Sequence, residues 1–378
     1  MAQGTTVLGQ LLALVPSGLF DKLATQYKVN KGVRKMTARA HFAVMLFAQL
    51  AELPSLRKLE TATSALTPTQ RRYGLIQACR STLAEANLRI PWQFYRDLFH
   101  GLLAMSGDTF PRHTFDLAGK LFSLDSTAVP LCLSLCRWAE YRTRKGGMKL
   151  PTLLDHDGYI PSVIRVTPAK VHDMVEGRKF RLNPGDALLF DRGYFDSACF
   201  HRLCKQGVFF VTRIKANITF EWTERRKCDR KAGIRIDWIG TLGGSSGEAC
   251  TATLRLVRYR DPETGKELEF LTNSLEVNAK VVADLYRKRW QIEQFFKWVK
   301  QNLKIKTYLG TDLNAVLVQV WIAMIAYLLV KLMHQTAPPG AISAQRLLTF
   351  VALGSCSISQ YVKRGKTFKE QNENGVII

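Results

Sequence analysis

At about residue 117 the apolar residues of this chain stop recurring every three or four positions and begin to alternate. A helix returns a side chain to the same face every 3.6 residues and a strand every 2, so the switch divides a helical N-terminal part from a part built on strands. Phe122 to Val129 reads as the first strand. After a basic loop, Lys149 to Leu154 and Tyr159 to Val166 flank the turn Asp155-His156-Asp157-Gly158, which predicts a hairpin. Asn183-Pro184-Gly185-Asp186 is a second turn and launches the apolar run Ala187 to Phe190. Asp196 or Ser197 can cap a helix ending at Gly207, and Val208 to Ile214 follows as a strand. Strand, two-strand hairpin, strand, helix, strand is the order of a mixed sheet with helices packed on it, an α/β core.

Upstream of the switch, Thr37 to Leu53 reads as an apolar-rich helix stopped by Pro54. Ser55 caps the next, Thr82 and Glu85 have capping-box spacing, and Pro91 opens a helix over Trp92 to Met105. Basic side chains recur along this part, from Lys31 to Arg89, and a small helical domain with basic edges suits a DNA-binding head. Downstream, residues 216–275 carry alternation and turns: Ile218, Phe220 and Trp222, then Ile234, Ile236 and Trp238, then a hairpin around Asp261-Pro262-Glu263-Thr264-Gly265. Asn278 to Leu303 returns to a helical pattern. The expected organisation is a helical domain over 1–116, a core over 117–215 and 276–335, a β insertion over 216–275 and a basic tail over 336–378.

Charge narrows the partner. Lys and Arg number 54 against 31 Asp and Glu, a net +23. Such a chain repels itself unless a polyanion neutralises it, and nucleic acid is the abundant one. A membrane surface usually selects one basic amphipathic helix or a polybasic tail, whereas these cations are spread along the chain. Ala315 to Met333 is apolar enough to raise a membrane span, but Gln319 and the lack of a second such run favour a buried core helix. The start, MAQGTTVLGQ, has no basic region ahead of an apolar one, so no secretory signal is expected. The eight cysteines lack zinc-site spacing and are expected to be reduced thiols.

The chemistry concentrates in Tyr286 to Lys306. On one continuous helix, Tyr286, Arg289, Glu293 and Lys300 would share a stripe about 60° wide, with Lys297 and Lys304 beside it and an apolar face adjacent. A solvated face with a Glu293–Lys297 pair worth only tenths of a kcal/mol explains that geometry as well as a functional site does. Asp125 and Asp191 add weight to the second reading, since each sits at or near the end of an apolar strand, where α/β sheets collect ligand chemistry. Carboxylate oxygens are hard ligands for Mg²⁺, and two such ions about 4 Å apart can serve phosphodiester cleavage.

Leu-Asp-Ser-Thr around Asp125, Asp-Arg-Gly-Tyr from Asp191, and Tyr286-x2-Arg289-x3-Glu293-x6-Lys300 together resemble the DDE transposases of the insertion-sequence-four (IS-four) family over about residues 117 to 335. The resemblance implies an RNase H-like catalytic core with a β insertion ahead of the last acidic helix. It implies that Asp125, Asp191 and Glu293 hold Mg²⁺, with Mn²⁺ as a substitute, and that Tyr286, Arg289 and Lys300 hold phosphates of double-stranded DNA at terminal inverted repeats and at the target. Trp290 looks placed to stack on a flipped base, although a tryptophan beside a core helix often only packs. Arg192 and Tyr194 suit phosphate contact or turn packing, and Arg144 and Lys145 lie in a basic Gly-rich loop suited to backbone contacts. Further expectations are cut-and-paste transposition, a homodimer on DNA, no membrane partner, and a bacterial cytoplasmic, nucleoid-associated location. The rivals are an RNase H-like nuclease without strand transfer, which would give nicks and no joined product, and a catalytically silent DNA-binding regulator.

Overall fold

A computed structural model describes residues 7–107, 109–131, 140–142, 145–168, 171, 177, 179–194, 196–302 and 309–336. They cluster into two compact units, one within residues 1–110 and from 298 onward, the other within 111–133 and 139–297.

The first unit is helical: α1 (Val7–Ala13), α2 (Ser17–Gln26), α3 (Ala38–Leu50), α4 (Leu56–Ser64), α5 (Pro68–Arg72), α6 (Arg80–Arg89), α7 (Trp92–Met105) and the last described helix, α12 (Leu313–Thr336). Thr37 caps α3 by accepting from the Ala40 amide, and Ser55 caps α4 by accepting from that of Lys58. The spacing of Thr82 and Glu85 misleads: α6 already starts at Arg80 after Cys79, so both lie inside it. A capping box is instead formed by Thr67, the cap of α5, and Gln70 in its first turn. A helix with the length and hydropathy of α12 can cross a membrane, yet 89% of its most apolar window is buried inside the protein. It packs on α7, α3 and α6, with the Trp321 ring 5.7 Å from that of Phe99. Asn314 anchors its start, donating at 2.7 Å to the carbonyls of Asn87 and Ile90 and accepting from the Trp92 amide at 2.9 Å. Gln319, the polar break in the run, accepts from the Leu309 amide at 3.0 Å.

The second unit is a mixed sheet. Its strands are β1 (Leu121–Leu131), β2 (Glu140–Arg142), β3 (Lys145–Asp155), β4 (Ile160–Ile164), β5 (Thr167–Pro168), β6 (Ala187–Phe190), β7 (Phe209–Arg213), β8 (Phe220–Arg225), β9 (Ile234–Leu242), β10 (Leu254–Arg260) and β11 (Glu267–Thr272). The order is β2-β3-β1-β6-β7-β11-β10-β9-β8, with β4 and β5 also paired to β3. Parallel pairing joins β1 to β6 and β6 to β7; the other pairs are antiparallel. The strands of the segment 216–275 prolong this sheet, since β11 pairs directly with β7. In the tightest part of that extension, a Cβ on Gly240 would stand 2.0 Å from the Glu221 carbonyl oxygen, so only glycine lets β8 and β9 approach there.

Helices cover both faces. On one side α8 (Ser197–Lys205) packs Phe200 and Leu203 against Phe122, Leu124, Leu188, Phe190 and Phe210. On the other, α10 (Ala279–Lys288) packs Val282, Leu285 and Tyr286 against Leu121, Leu189, Val211 and Phe270. A short helix, α9 (Gly244–Ala249), follows β9. A buried ion pair fixes the approach to α10: the Arg255 guanidinium grips Asp237 at 2.7 Å through two nitrogens and also donates to the carbonyls of Leu275 and Val277. Asn278 then caps the helix by accepting from the Lys280 amide at 2.8 Å.

Candidate active site

The site begins with a register. Gly185, at φ 89°, supplies the left-handed step of the Asn-Pro-Gly-Asp turn. The buried carboxylate of the next residue, Asp186, accepts from the amides of Asn183 and Lys120, at 2.8 and 3.0 Å. The Ala187 amide donates to the Lys120 carbonyl at 2.8 Å. These bonds pin the starts of β1 and β6 together and set the parallel pairs Leu121–Ala187 through Leu124–Phe190. One residue beyond the last of these pairs stand Asp125 and Asp191, side by side. Asp191 lies just past the end of β6. Asp125 is not at a strand end as expected but within β1, which runs on to Leu131 in its pairing with β3. Alternation puts both acids on the face of Leu121 and Leu189, which is the face α10 covers. The same count on β7, where Thr212 pairs with Phe190, brings Arg213 up beside Asp191.

From α10 the Tyr286 hydroxyl donates to Asp191 Oδ1 at 3.2 Å, while its ring lies 4.9 Å from that of Phe270. The helical pattern predicted over Asn278 to Leu303 runs as two abutting helices joined at Arg289. α10 ends at Lys288, Arg289 forms its cap, and α11 (Trp290–Asn302) follows. At the junction the Arg289 amide donates to the Tyr286 carbonyl at 3.0 Å, and that of Ile292 donates to Arg289 at 3.1 Å, both tightened three-residue steps. Arg289 itself keeps right-handed helical backbone angles, φ −51° and ψ −30°, so the junction tightens the helical path without leaving it. The Arg289 guanidinium stands between two acids, 2.6 Å from Glu293 Oε1 one helical turn along and 3.6 Å from Asp125 Oδ2. Tyr286, Arg289, Glu293, Asp125 and Asp191 thus gather where the parallel pairing of β1 and β6 ends.

Burial pushes the Asp125 carboxyl up to about 6, and the charges of Asp191 and Glu293 push the same way. The Ser126 amide and Arg289 oppose the shift without cancelling it. Burial likewise pushes the Tyr286 hydroxyl up to about 12, so it remains a protonated donor at neutral pH. An environment that penalises negative charge on neighbouring carboxylates is one that a divalent cation would relieve, and the donor oxygens are of the hard type such ions take. The residues fit a metal by type and neighbourhood. As arranged, no three acidic, His or Cys side chains among the described residues are close enough to enclose one.

The other expected site residues scatter. Trp290 is 55% exposed at the first position of α11. Lys297 and Lys300 are exposed further along that helix. Arg192 is exposed on the short turn after Asp191, whereas Tyr194 on the same turn is buried against Leu124 and Phe190, on the opposite face of the sheet from the acids. Lys145 opens β3, and Arg144 and Lys304 lie outside the described residues. Arg213 belongs to the neighbourhood and was not anticipated. Its signal is positional: it ends an apolar strand just as Asp191 follows one.

Comparison with known proteins identifies the family. Residues 117–329 match the family model described as Transposase DDE domain, and residues 3–75 match a domain of unknown function, DUF4372. A Sinorhizobium fredii protein named as transposase y4zB is 33% identical over 273 residues, 71% of this chain and 72% of its own. A probable transposase for insertion sequence element IS5377 of Geobacillus stearothermophilus is 29% identical over 264 residues, 69% of each chain. A solved structure of piggyBac transposase in a synaptic complex with hairpin DNA superposes with a TM-score of 0.46 at 10% identity, covering 97% of this chain and 82% of that one. A DDE domain is an α/β, RNase H-like enzyme core that acts on DNA and depends on divalent metal. With its DDE domain occupying more than half of the sequence, the chain belongs to the DDE transposases of insertion sequences.

Proposed function

We propose that this transposase works by cut-and-paste, cutting at the terminal inverted repeats of its element and joining the freed ends to target DNA with Asp125, Asp191 and Glu293 as its acidic triad. The observation that carries the reading is the β1–β6 register, which sets Asp125 beside Asp191 where the parallel pairing of the two strands ends, on the face that α10 covers. In this reading the three carboxylates hold two Mg²⁺ ions, with Mn²⁺ as a substitute. Bound there, the ions supply the electrophilic help that makes an oxygen nucleophilic and stabilises the departing one. Water attacks first and nicks a strand. The freed 3′-hydroxyl then attacks a second phosphodiester, so each new P–O bond replaces one that breaks and no external energy source is needed.

The remaining roles belong to side chains of this chain. Tyr286 steadies Asp191 by its hydrogen bond. Arg289, Lys297 and Lys300 take phosphate oxygens, and exposed Trp290 is available to stack on an unpaired base, where such contacts contribute roughly 1–3 kcal/mol. Bringing two element ends together calls for two copies of the protein on DNA. The work is done in the bacterial cytoplasm, at the nucleoid.

The test is cleavage of a labelled duplex carrying the terminal repeat that flanks the gene, with Mg²⁺, Mn²⁺ or chelator, wild type beside Asp191→Asn. Metal-dependent cutting at the repeat boundary, lost in the variant while duplex binding survives, is the expected result. A target plasmid in the same reaction should yield joined product. Nicks without joined product would replace the transposition reading with a hydrolytic one, and equal binding with no cutting under any metal would leave a DNA-binding regulator.

A further inference from the structure

The guanidinium of Arg289 is shared between the acids. It holds Glu293 at 2.6 Å and reaches Asp125 at 3.6 Å, and its side chain is only 15% exposed. Its third nitrogen, Nε, is buried without a hydrogen-bond partner, an unusual cost for so strong a donor. A short Arg–carboxylate bond in a half-buried site is a firm one, because the competing water is largely excluded. Asp191 is engaged as well, by the Tyr286 hydroxyl. All three acids are thus partnered within the protein, and the cation that partners two of them is the side chain assigned above to a DNA phosphate.

We propose that Arg289 is an internal counter-ion that guards the metal site, so that divalent metal and DNA bind this enzyme cooperatively. This rests on the assignment of Asp125, Asp191 and Glu293 as metal ligands. While Arg289 bridges Asp125 and Glu293, an arriving divalent cation must displace a positive charge already seated among its ligands. A DNA phosphate offers the guanidinium two oxygens in the fork geometry that a carboxylate offers, together with a further acceptor for Nε. Once Arg289 turns to the phosphate, Glu293 and Asp125 are released toward the metal. Linkage makes the effect reciprocal: whatever factor DNA adds to metal affinity, metal adds to DNA affinity. The junction between α10 and α11 gives the side chain its setting, since Arg289 sits at the cap of one helix and ahead of the other. The consequence is an enzyme whose metal-loaded state forms on its substrate, which limits stray hydrolysis of other DNA.

The experiment has two arms on the full chain. In the first, free protein is titrated with Mn²⁺ by electron paramagnetic resonance, using wild type, Arg289→Gln, Arg289→Lys and Asp191→Asn. In the second, affinity for a repeat-bearing duplex is read by fluorescence anisotropy in chelator and in Ca²⁺, chosen so that binding is measured without cutting. Arg289→Gln should bind Mn²⁺ about tenfold more tightly than wild type, within the usual range of coupling between sites. Arg289→Lys keeps the charge and should stay within about threefold of wild type, which a merely structural role for the arginine would not produce. In wild type, Ca²⁺ should tighten duplex binding by about tenfold, and in Arg289→Gln by less than about twofold. Mn²⁺ binding that depends on Asp191 but is equal in wild type and Arg289→Gln overturns the guard and leaves the metal assignment standing. Duplex affinity of wild type indifferent to Ca²⁺ overturns it too, without reliance on any variant's folding. Mn²⁺ binding equal in wild type and Asp191→Asn overturns the metal assignment itself, and the guard falls with it.

Discussion

Tyr286 packs its ring on Phe270 and gives its hydroxyl hydrogen to Asp191, so one side chain serves core and site at once. Removing the oxygen alone separates the two duties. Tyr286→Phe keeps the packing and loses one hydrogen bond, a cost of about 1 kcal/mol in stability. Cleavage of the repeat duplex should fall by about tenfold and persist, because 1.4 kcal/mol of lost positioning is one decade of rate. A hydroxyl pushed up to about 12 is a poor nucleophile at neutral pH, which agrees with a supporting role. Complete loss of cutting, with a protein–DNA adduct in wild type on a denaturing gel, would make Tyr286 the nucleophile instead. At this scale the sequence was informative for a physical reason. Asp125 shares a strand face with Ser123 and Thr127 by alternation, and the turn before the apolar run Ala187 to Phe190 marks where β6 starts and so where Asp191 follows it. Arg213 escaped because its meaning depends on pairing between β6 and β7, which no local spacing encodes.

Helices and strands differ in how much of their geometry is local. Thr37 and Ser55 cap the helices they precede because the cap bond spans three residues, a distance the sequence displays directly. The role of Arg289 is not local in that way, because the contact that distinguishes it reaches across to Asp125 on β1. A second long-range arrangement lies in the helical unit. His41 on α3 bonds Tyr95 of α7 through Nδ1 at 2.7 Å and Asn87 of α6 through Nε2 at 2.9 Å, fully buried. Those partners suit a neutral ring that accepts from the tyrosine and donates to the amide. Burial pushes the ring down to about 4, with the Arg89 charge adding to it and the Asn87 bond opposing. The folded state therefore refuses a proton that the unfolded chain takes up near 6.5, and stability from this network is complete above 6.5 and lost as pH falls toward 4. His41→Gln should melt below wild type at pH 7, and at pH 5 the gap should narrow by up to about 2 kcal/mol, at 1.36 kcal/mol per unit. Every other titrating group is common to the two proteins and cancels. A gap that thermal unfolding finds unchanged between pH 7 and pH 5 would mean the ring takes up its proton equally in the folded and unfolded chains.

For the whole molecule the governing quantity is the net charge of +23, which registers neither the acid cluster nor the helix junction. Charge of that size acts on the phosphate backbone irrespective of sequence, and each neutralised phosphate releases condensed counterions. If about 6–10 phosphates are contacted, duplex affinity should fall by roughly 10³–10⁵ between 50 and 200 mM salt. The repeat duplex and a scrambled duplex should give parallel lines of log affinity against log salt. Their vertical separation is the specificity, carried by contacts that release no ions. If Lys300 contacts a phosphate as proposed, Lys300→Ala should flatten both lines by about one unit of slope and leave the separation unchanged. A separation that collapses in Lys300→Ala would instead place that side chain on a base edge. Lines of different slope in wild type would mean that the repeat recruits extra phosphate contacts, so that recognition of the element end draws on the same distributed charge that binds any DNA.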